Sequence, residues 1–386
     1  MIRSEMFARD PEELGLDSSK VSILLDRCRK EVDEGLLPSA QICIARDGRI
    51  AALETFGDQT NDSLYCVFSA TKAMTSAAAW ILIQEEKLDI NLQVGAVIPE
   101  FATNGKEMIT IDQLFTHTAG FPHAPFRPTD WNDREKRYKR FSDWTLNWTP
   151  GSRYEYHPTS SMWVIAEIIE RLSGETYQQF VRHHIAEALG LTDLWVGCPE
   201  EHHGRIAPVT HVGAALTTKD YEELGIPEPP VTEVTEEALN RFNETETRLV
   251  PVPGGGGIMS AAELALFYQA LLHGGLAGSP TLWNKETLEM ARSVRTGNLI
   301  DPLRGNKVNR GLGIVLAGDE ERNMRGFGHT NSEFAFGHRG AGGQLAWADP
   351  QTGISIGYCT NGFDRNEVRQ NRRDVGISSK AAVCQA

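Results

Sequence analysis

Strand-like patterns lie near both ends of this chain, and a long helix-rich stretch separates them. Near the start, residues 40–45 (Ala-Gln-Ile-Cys-Ile-Ala) and 49–53 (Arg-Ile-Ala-Ala-Leu) flank Arg46-Asp47-Gly48. Asp-Gly between two apolar runs is a strong hairpin signal, because a two-residue turn needs positive φ at its centre. Strand character returns at residues 311–316, 343–348 and 354–359, and a polar helical tail follows. An isolated hairpin is at best marginally stable in water, so these distant pieces are expected to pair. The chain is therefore read as α/β (α+β), with both ends sharing one sheet and a mostly helical region inserted between them. The expected divisions are 1–90, carrying the first strands and a buried helix, 91–295, mostly helical, and 296–386, completing the sheet.

Two helices near the start are well marked. Val21, Leu24, Leu25 and Cys28 recur at helical spacing behind Asp17 or Ser18, either of which can cap the first turn. Residues 70–86 are rich in Ala, Met, Leu and Ile and contain no Gly, so a deeply buried helix is predicted there, with Ser69 in its first turn. The Pro- and Glu-rich stretch 217–246 reads as an exposed insertion.

Charge and composition remove several classes. Lys+Arg 38 against Asp+Glu 52 gives a net charge of −14, which argues against a nucleic-acid partner. No apolar run reaches the roughly 18–20 residues of a membrane span, and the charged residues 1–16 do not resemble a signal peptide. A cytoplasmic location is expected. The six cysteines form no CxxC pair, so buried free thiols are expected rather than a zinc site or disulfide framework. No Gly-x-Ser-x-Gly elbow, His-Glu-x-x-His helix or phosphate loop occurs. The four-glycine run 254–257 lacks a following Lys-Ser/Thr and reads as a turn before a helix over 260–273.

Three elements retain chemical potential. In Ser69-Ala70-Thr71-Lys72 the helical spacing sets the ammonium of Lys72 beside the hydroxyl of Ser69. Burial disfavours the charged amine, which would fit Lys72 to take the proton of Ser69, while the Ser69 N–H can point at a developing oxyanion. A surface Ser-Lys pair is the alternative for so short a motif, but its flanks are apolar or small. The second element is the junction 150–158, with Tyr154, Tyr156 and His157, ahead of an amphipathic helix over 162–172. A tyrosine there either presents its phenol to a pocket or is a packed aromatic. The third is Phe336-Gly337-His338-Arg339-Gly340-Ala341-Gly342-Gly343, where glycines allow close approach of a substrate acyl group or simply form a turn.

In this order the elements resemble the serine β-lactamase and penicillin-binding-protein superfamily, above all its class C-like branch, which includes the family VIII carboxylesterases. Supporting segments are Leu114-Phe115-Thr116-His117-Thr118-Ala119-Gly120, Ile168-Ile169-Glu170-Arg171-Leu172-Ser173-Gly174 and Pro253-Gly254-Gly255-Gly256-Gly257-Ile258-Met259-Ser260. The resemblance implies a β-lactamase/transpeptidase-like fold: an antiparallel sheet flanked by N- and C-terminal helices, with an inserted helical domain. It implies Ser69 as acylated nucleophile, Lys72 as its proton partner and Tyr156, rather than Tyr154, as the shared acid/base. The N–H groups of Ser69 and Ala341 would form the oxyanion hole, with Gly340 and His338 beside the substrate and no cofactor or metal.

Two departures shape the expected substrate. Pro158 stands where the family motif usually has Asn and offers no side-chain donor or acceptor to an amide. His338 stands in place of a Lys, so the charge that would hold a carboxylate is weaker near neutral pH, with Arg339 a partial substitute. Both point to a small-molecule ester, and so to a serine carboxylesterase. A β-lactamase, D-amino-acid peptidase or other amide hydrolase is the alternative, and a non-enzymatic ligand-binding member a further one. An apparent one-residue insertion after Tyr156 leaves open a role for His157. Phe121, Phe126, Trp131, Tyr138, Phe141, Trp144 and Trp148 either line an apolar acyl pocket or form the core of the helical region.

Overall fold

The computed structural model describes residues 2–228 and 234–386. Strands from both ends of the chain form one six-stranded sheet: β1 (Ser39–Arg46), β2 (Arg49–Gly57), β3 (Val315–Leu316), β4 (Phe336–Gly337), β5 (Leu345–Asp349) and β6 (Ile354–Thr360), in the order β2-β1-β6-β5-β4-β3. Every neighbouring pair is antiparallel. The β1–β2 turn places Asp47 at φ 51° and Gly48 at φ 73°, the geometry for which Asp-Gly is suited. β1 then pairs with β6 from the far end of the chain, Ile42 opposite Tyr358 and Ile44 opposite Ile356.

The two faces of the sheet bury different side chains, because successive residues of a strand point opposite ways. Ile42, Ile44, Trp347, Ile356 and Tyr358 pack with Val21 and Leu24 of helix α1 (Ser18–Asp33) and Ile377 of the C-terminal helix Glu367–Ala382. Asp17 caps α1 by accepting from the N–H groups of Ser19 and Lys20. Small residues, Cys43, Ala45, Ala346, Ala348 and Cys359, form the other face. They let the helix Ala261–His273 lie close: a Cβ on Gly357 would come within 2.2 Å of the Ala261 carbonyl oxygen. That helix lies within the stretch 91–295, expected to be the inserted helical region, yet it packs on β1, β5 and β6.

The predicted buried helix runs as α2 (Thr71–Gln84), and every residue from Thr71 to Leu82 is buried. Ser69 precedes it in a 3-10 turn, Phe68–Ala70, rather than lying within it. Helix α3 (Ser160–Ser173) packs across α2 and ends at Gly174, whose φ of 79° closes the helix. A second small sheet pairs Tyr65–Cys66 and Trp195–Val196 with the strand Gly257–Met259. It ties the segment entering Ser69 to the segment leaving the glycine run. The six cysteines are all buried as free thiols.

Other expectations change. Of the strand predicted over 311–316, only Val315–Leu316 forms. Gly313, at φ 81°, presses against α2 so closely that a Cβ would sit 1.9 Å from Ser76 Oγ, and a regular strand cannot follow that path. In the stretch 217–246 the helices Thr218–Leu224 and Glu236–Asn240 are largely exposed, and residues 229–233 lie outside the described residues. No helix among the described residues is long and apolar enough to cross a membrane.

The aromatics of residues 121–144 belong to the core rather than to an acyl pocket. Phe126 stacks on Trp163 of α3 at 4.3 Å between ring centres, and Phe121 stacks on Trp144 at 5.6 Å. Beneath them the guanidinium of Arg137, with 5% of its side chain exposed, bonds Glu167 and Glu170 of α3.

Candidate active site

The turn that presents Ser69 is strained and braced. Phe68 has φ 45°, a left-handed conformation that costs a non-glycine residue roughly 1–3 kcal/mol. Its ring is clamped edge-on by Phe242 at 5.2 Å and Phe363 at 5.1 Å. Thr71 Oγ1 donates to the Phe68 carbonyl at 2.5 Å and accepts from the Gly257 N–H at 2.8 Å, fastening the turn to the small sheet. Ser69 thereby stands half-exposed in an otherwise buried stretch and lines a cavity of about 280 Å³.

Lys72, one helical turn on, is fully buried. Its Nζ donates to the carbonyls of Pro158 (2.6 Å) and Gly254 (2.7 Å) and lies 3.3 Å from Ser69 Oγ. Burial, aided by the positive charge of Arg310, pushes its pKa well below the usual lysine value. A neutral amine has two N–H bonds. The two carbonyls take both, which leaves the nitrogen lone pair for the Ser69 hydroxyl. The glycine run has a definite task here: Gly254 supplies one of those carbonyls, and a Cβ on it would press to 3.0 Å from the Pro158 oxygen.

Tyr156 completes the group. The Lys72 Nζ lies 5.0 Å from its ring centre and the Arg310 guanidinium 5.3 Å. Its hydroxyl is buried with no hydrogen bond of standard geometry among the described residues. Burial raises its pKa above the ordinary tyrosine value, while Arg310 and the Ser69 side chain act in the opposite direction. His117, at φ 57°, packs its ring 4.7 Å from that of Tyr156 and holds the junction by accepting from the His157 N–H at Nδ1 (3.2 Å).

The third element lines the same cavity through His338, Arg339, Gly340 and Ala341. A Cβ on Gly340 would meet the Val67 carbonyl at 2.1 Å, so only glycine lets this strand edge approach the Ser69 turn. No backbone carbonyl among the described residues accepts from the N–H of Ser69 or of Ala341. Both donors are free for an oxygen on a reacting carbonyl.

Other expected site residues stand differently. His157 turns inward: its Nδ1–H donates to the Glu155 carbonyl (2.7 Å) and Nε2 accepts from the Phe121 N–H (3.2 Å). Burial holds its pKa down to about 3, so it is a neutral structural pin outside the cavity wall. Trp148 packs edge-on to His157 at 6.1 Å and also stays off that wall. His338 is neutral too, its pKa driven far down by burial and by Arg310. Its Nδ1–H donates to the Arg339 carbonyl (2.9 Å), leaving Nε2 to accept from Arg310 (3.2 Å). The cation closest to the group is therefore Arg310, which also donates to Tyr154 Oη at 3.0 Å; Arg339 instead reaches toward Asn371. A lone arginine in a loop carries no sequence signal of this kind, and Arg310 was missed. Pro158, read for its missing side-chain polarity, contributes through its carbonyl.

The Ser69 hydroxyl beside the buried amine of Lys72 and the buried phenol of Tyr156, at the edge of an antiparallel sheet, is an arrangement suited to a hydrolase of β-lactamase/transpeptidase-like fold. The family pattern described as Beta-lactamase matches residues 25–378, and the chain belongs to that family. It is 24% identical over 323 residues to the esterase/beta-lactamase LipL of Mycobacterium tuberculosis (strain ATCC 25618 / H37Rv), covering 78% of this chain and 70% of that protein. A penicillin-binding protein homolog from Caulobacter crescentus superposes with a TM-score of 0.75 at 25% identity, over 95% of this chain and 99% of that one. A family VIII carboxylesterase superposes with a TM-score of 0.76 at 22% identity, over 94% of this chain and 99% of that one, a likeness of fold.

Proposed function

We propose that the protein is a serine carboxylesterase that works through a covalent acyl-enzyme on Ser69. The observation that carries this reading is the amine of Lys72, buried between two carbonyl acceptors 3.3 Å from Ser69 Oγ. Ser69 Oγ bonds the ester carbonyl carbon as its proton passes to Lys72, and the carbonyl oxygen becomes an oxyanion held by the N–H groups of Ser69 and Ala341. Removing one donor of such a pair typically costs about 3–4 kcal/mol of transition-state stabilisation. The proton then reaches the departing alkoxide through Tyr156, the C–O bond breaks and the alcohol leaves. Water attacks the acyl-enzyme by the reverse route, releasing the acid and restoring Ser69.

Esters are favoured over amides by what surrounds this group. Pro158 turns only a carbonyl inward, already occupied by Lys72, and gives no side-chain grip on an amide. Hydrolysis of a p-nitrophenyl ester that disappears in Ser69→Ala is the expected result, and equal rates for the two proteins would overturn the reading. Cleavage of β-lactam amides is the second reading, favoured by the name of LipL. Nitrocefin turnover at a rate rivalling ester hydrolysis would promote it.

A further inference from the structure

The walls of the Ser69 cavity carry a charge opposite to that of the whole chain. Arg304, Lys307, Arg310, Arg325 and Arg339 face it against the single carboxylate of Asp301, in a chain of net charge −14. Asp301 is partly taken up by its own turn, accepting from the Leu303 N–H at 2.9 Å. Arg325 is paired with Asp319. Among the described residues Arg304, Lys307 and Arg310 have no carboxylate within ion-pair distance, and Arg339 is attracted by the carboxylate of Asp374. Arg310 is the most telling, because it is 8% exposed and its two partners, Tyr154 Oη and His338 Nε2, carry no negative charge. Burial and the neighbouring Arg304 lower Arg339 to about 10, while the buried carboxylate of Asp374 acts in the opposite direction. A guanidinium withdrawn from water without an anion is costly, and an anion delivered by a ligand would offset that cost.

We infer that the preferred substrate is an ester bearing a carboxylate away from the scissile carbonyl, bound by Arg310 with Arg304 and Lys307 in the part of the cavity walled by residues 301–310. The word ester rests on the hydrolase reading above; the carboxylate rests on the charge of these walls. His338, which stands where the resembled family has a Lys, is neutral, as the weaker charge expected there implied, and Arg304, Lys307 and Arg310 come from a loop outside the three sequence elements. An asymmetric field of this kind attracts the anion and orients it, leaving the ester carbonyl at the other end for Ser69.

Binding tests the inference without requiring turnover. Ser69→Ala protein is titrated by calorimetry with monomethyl glutarate, which carries one carboxylate, and with neutral dimethyl glutarate. The monoanion should bind about tenfold tighter or better, and the margin should shrink as salt is added. Arg304 is exposed and Lys307 half-buried, so Arg304→Gln with Lys307→Gln is expected to fold and to bring the two affinities within about threefold. Equal affinities in the parent, or a preference untouched by the double substitution, would overturn the inference. Hydrolysis of both compounds by the unsubstituted protein separates the two claims. A preference in binding without cleavage of either ester would sustain the carboxylate site and refute the esterase reading; cleavage with equal affinities would do the reverse.

Discussion

Removing the charge of Arg310 should move the whole pH profile of the enzyme toward alkali. Arg310 and Lys72 both lie close to Tyr156, 5.3 Å and 5.0 Å from its ring centre, which puts the two cations no more than about 10 Å apart. At an effective dielectric constant of about 20, two unit charges at ~10 Å interact by roughly 1.7 kcal/mol, equivalent to about one pKa unit. Arg310 lowers Lys72 by that mechanism, and it lowers Tyr156 in the same sense. In Arg310→Gln the amide can still bond Tyr154 or His338, but both pKa values rise. The acid limb, where Lys72 must lose its proton, and the alkaline limb, where Tyr156 must keep its own, should both move up by about one unit. The assay is kcat/KM for neutral p-nitrophenyl butyrate from pH 5 to 10, with Arg310→Lys as the charge-retaining control. A uniform fall in rate with both limbs unmoved would refute the electrostatic argument and reduce Arg310 to a packing role.

Other expectations follow from the same packing and electrostatics. Gly340→Ala forces a Cβ to within 2.1 Å of the Val67 carbonyl, so kcat should fall by about 100-fold as the oxyanion donors are displaced; ester kinetics with a circular-dichroism check of folding would show it. Arg137→Met leaves Glu170 without its cation and Glu167 with Arg171 alone in the helical core, and urea unfolding should report a loss of about 3–5 kcal/mol. Glu263, buried in the cap of the helix Ala261–His273, is raised to about 7 by burial and the nearby Asp193. A carboxyl raised in the folded state favours folding while protonated, so stability should decline as pH climbs from about 4.5 through 7, by up to roughly 3 kcal/mol. Chemical denaturation at pH 5 and 8 should show that decline in the parent and a smaller one in Glu263→Gln.

What could be read from the sequence was whatever short-range geometry determines. Asp47-Gly48 specified a turn, Asp17 a cap, and the spacing of Ser69 and Lys72 set hydroxyl and amine close together, although Ser69 sits in the 3-10 turn ahead of the helix. Tyr156 was chosen over Tyr154 only through resemblance, since both line the cavity and both lie near Arg310. Trp148 and His157 line the Ser69 cavity neither by ring nor by hydrogen bond, Trp148 packing on His157 and His157 bonding Glu155 and Phe121, partners that neither the aromatic-rich loop nor the apparent insertion after Tyr156 could specify. The strand over 311–316 was cut short by contact of Gly313 with Ser76, residues far apart in the chain. Arg310 and the carbonyls of Pro158 and Gly254 were hidden for the same reason: their importance comes from what folding brings beside them.

The most direct test of the account is covalent capture of the nucleophile. Folded protein is treated with a fluorophosphonate, and the modified residue is located by intact mass and peptide mapping. The account predicts one adduct per chain, on the peptide containing Ser69, forming far more slowly in Lys72→Met, where the proton has no acceptor. Modification at another residue, or full esterase activity in protein whose Ser69 stays unlabelled, would contradict it.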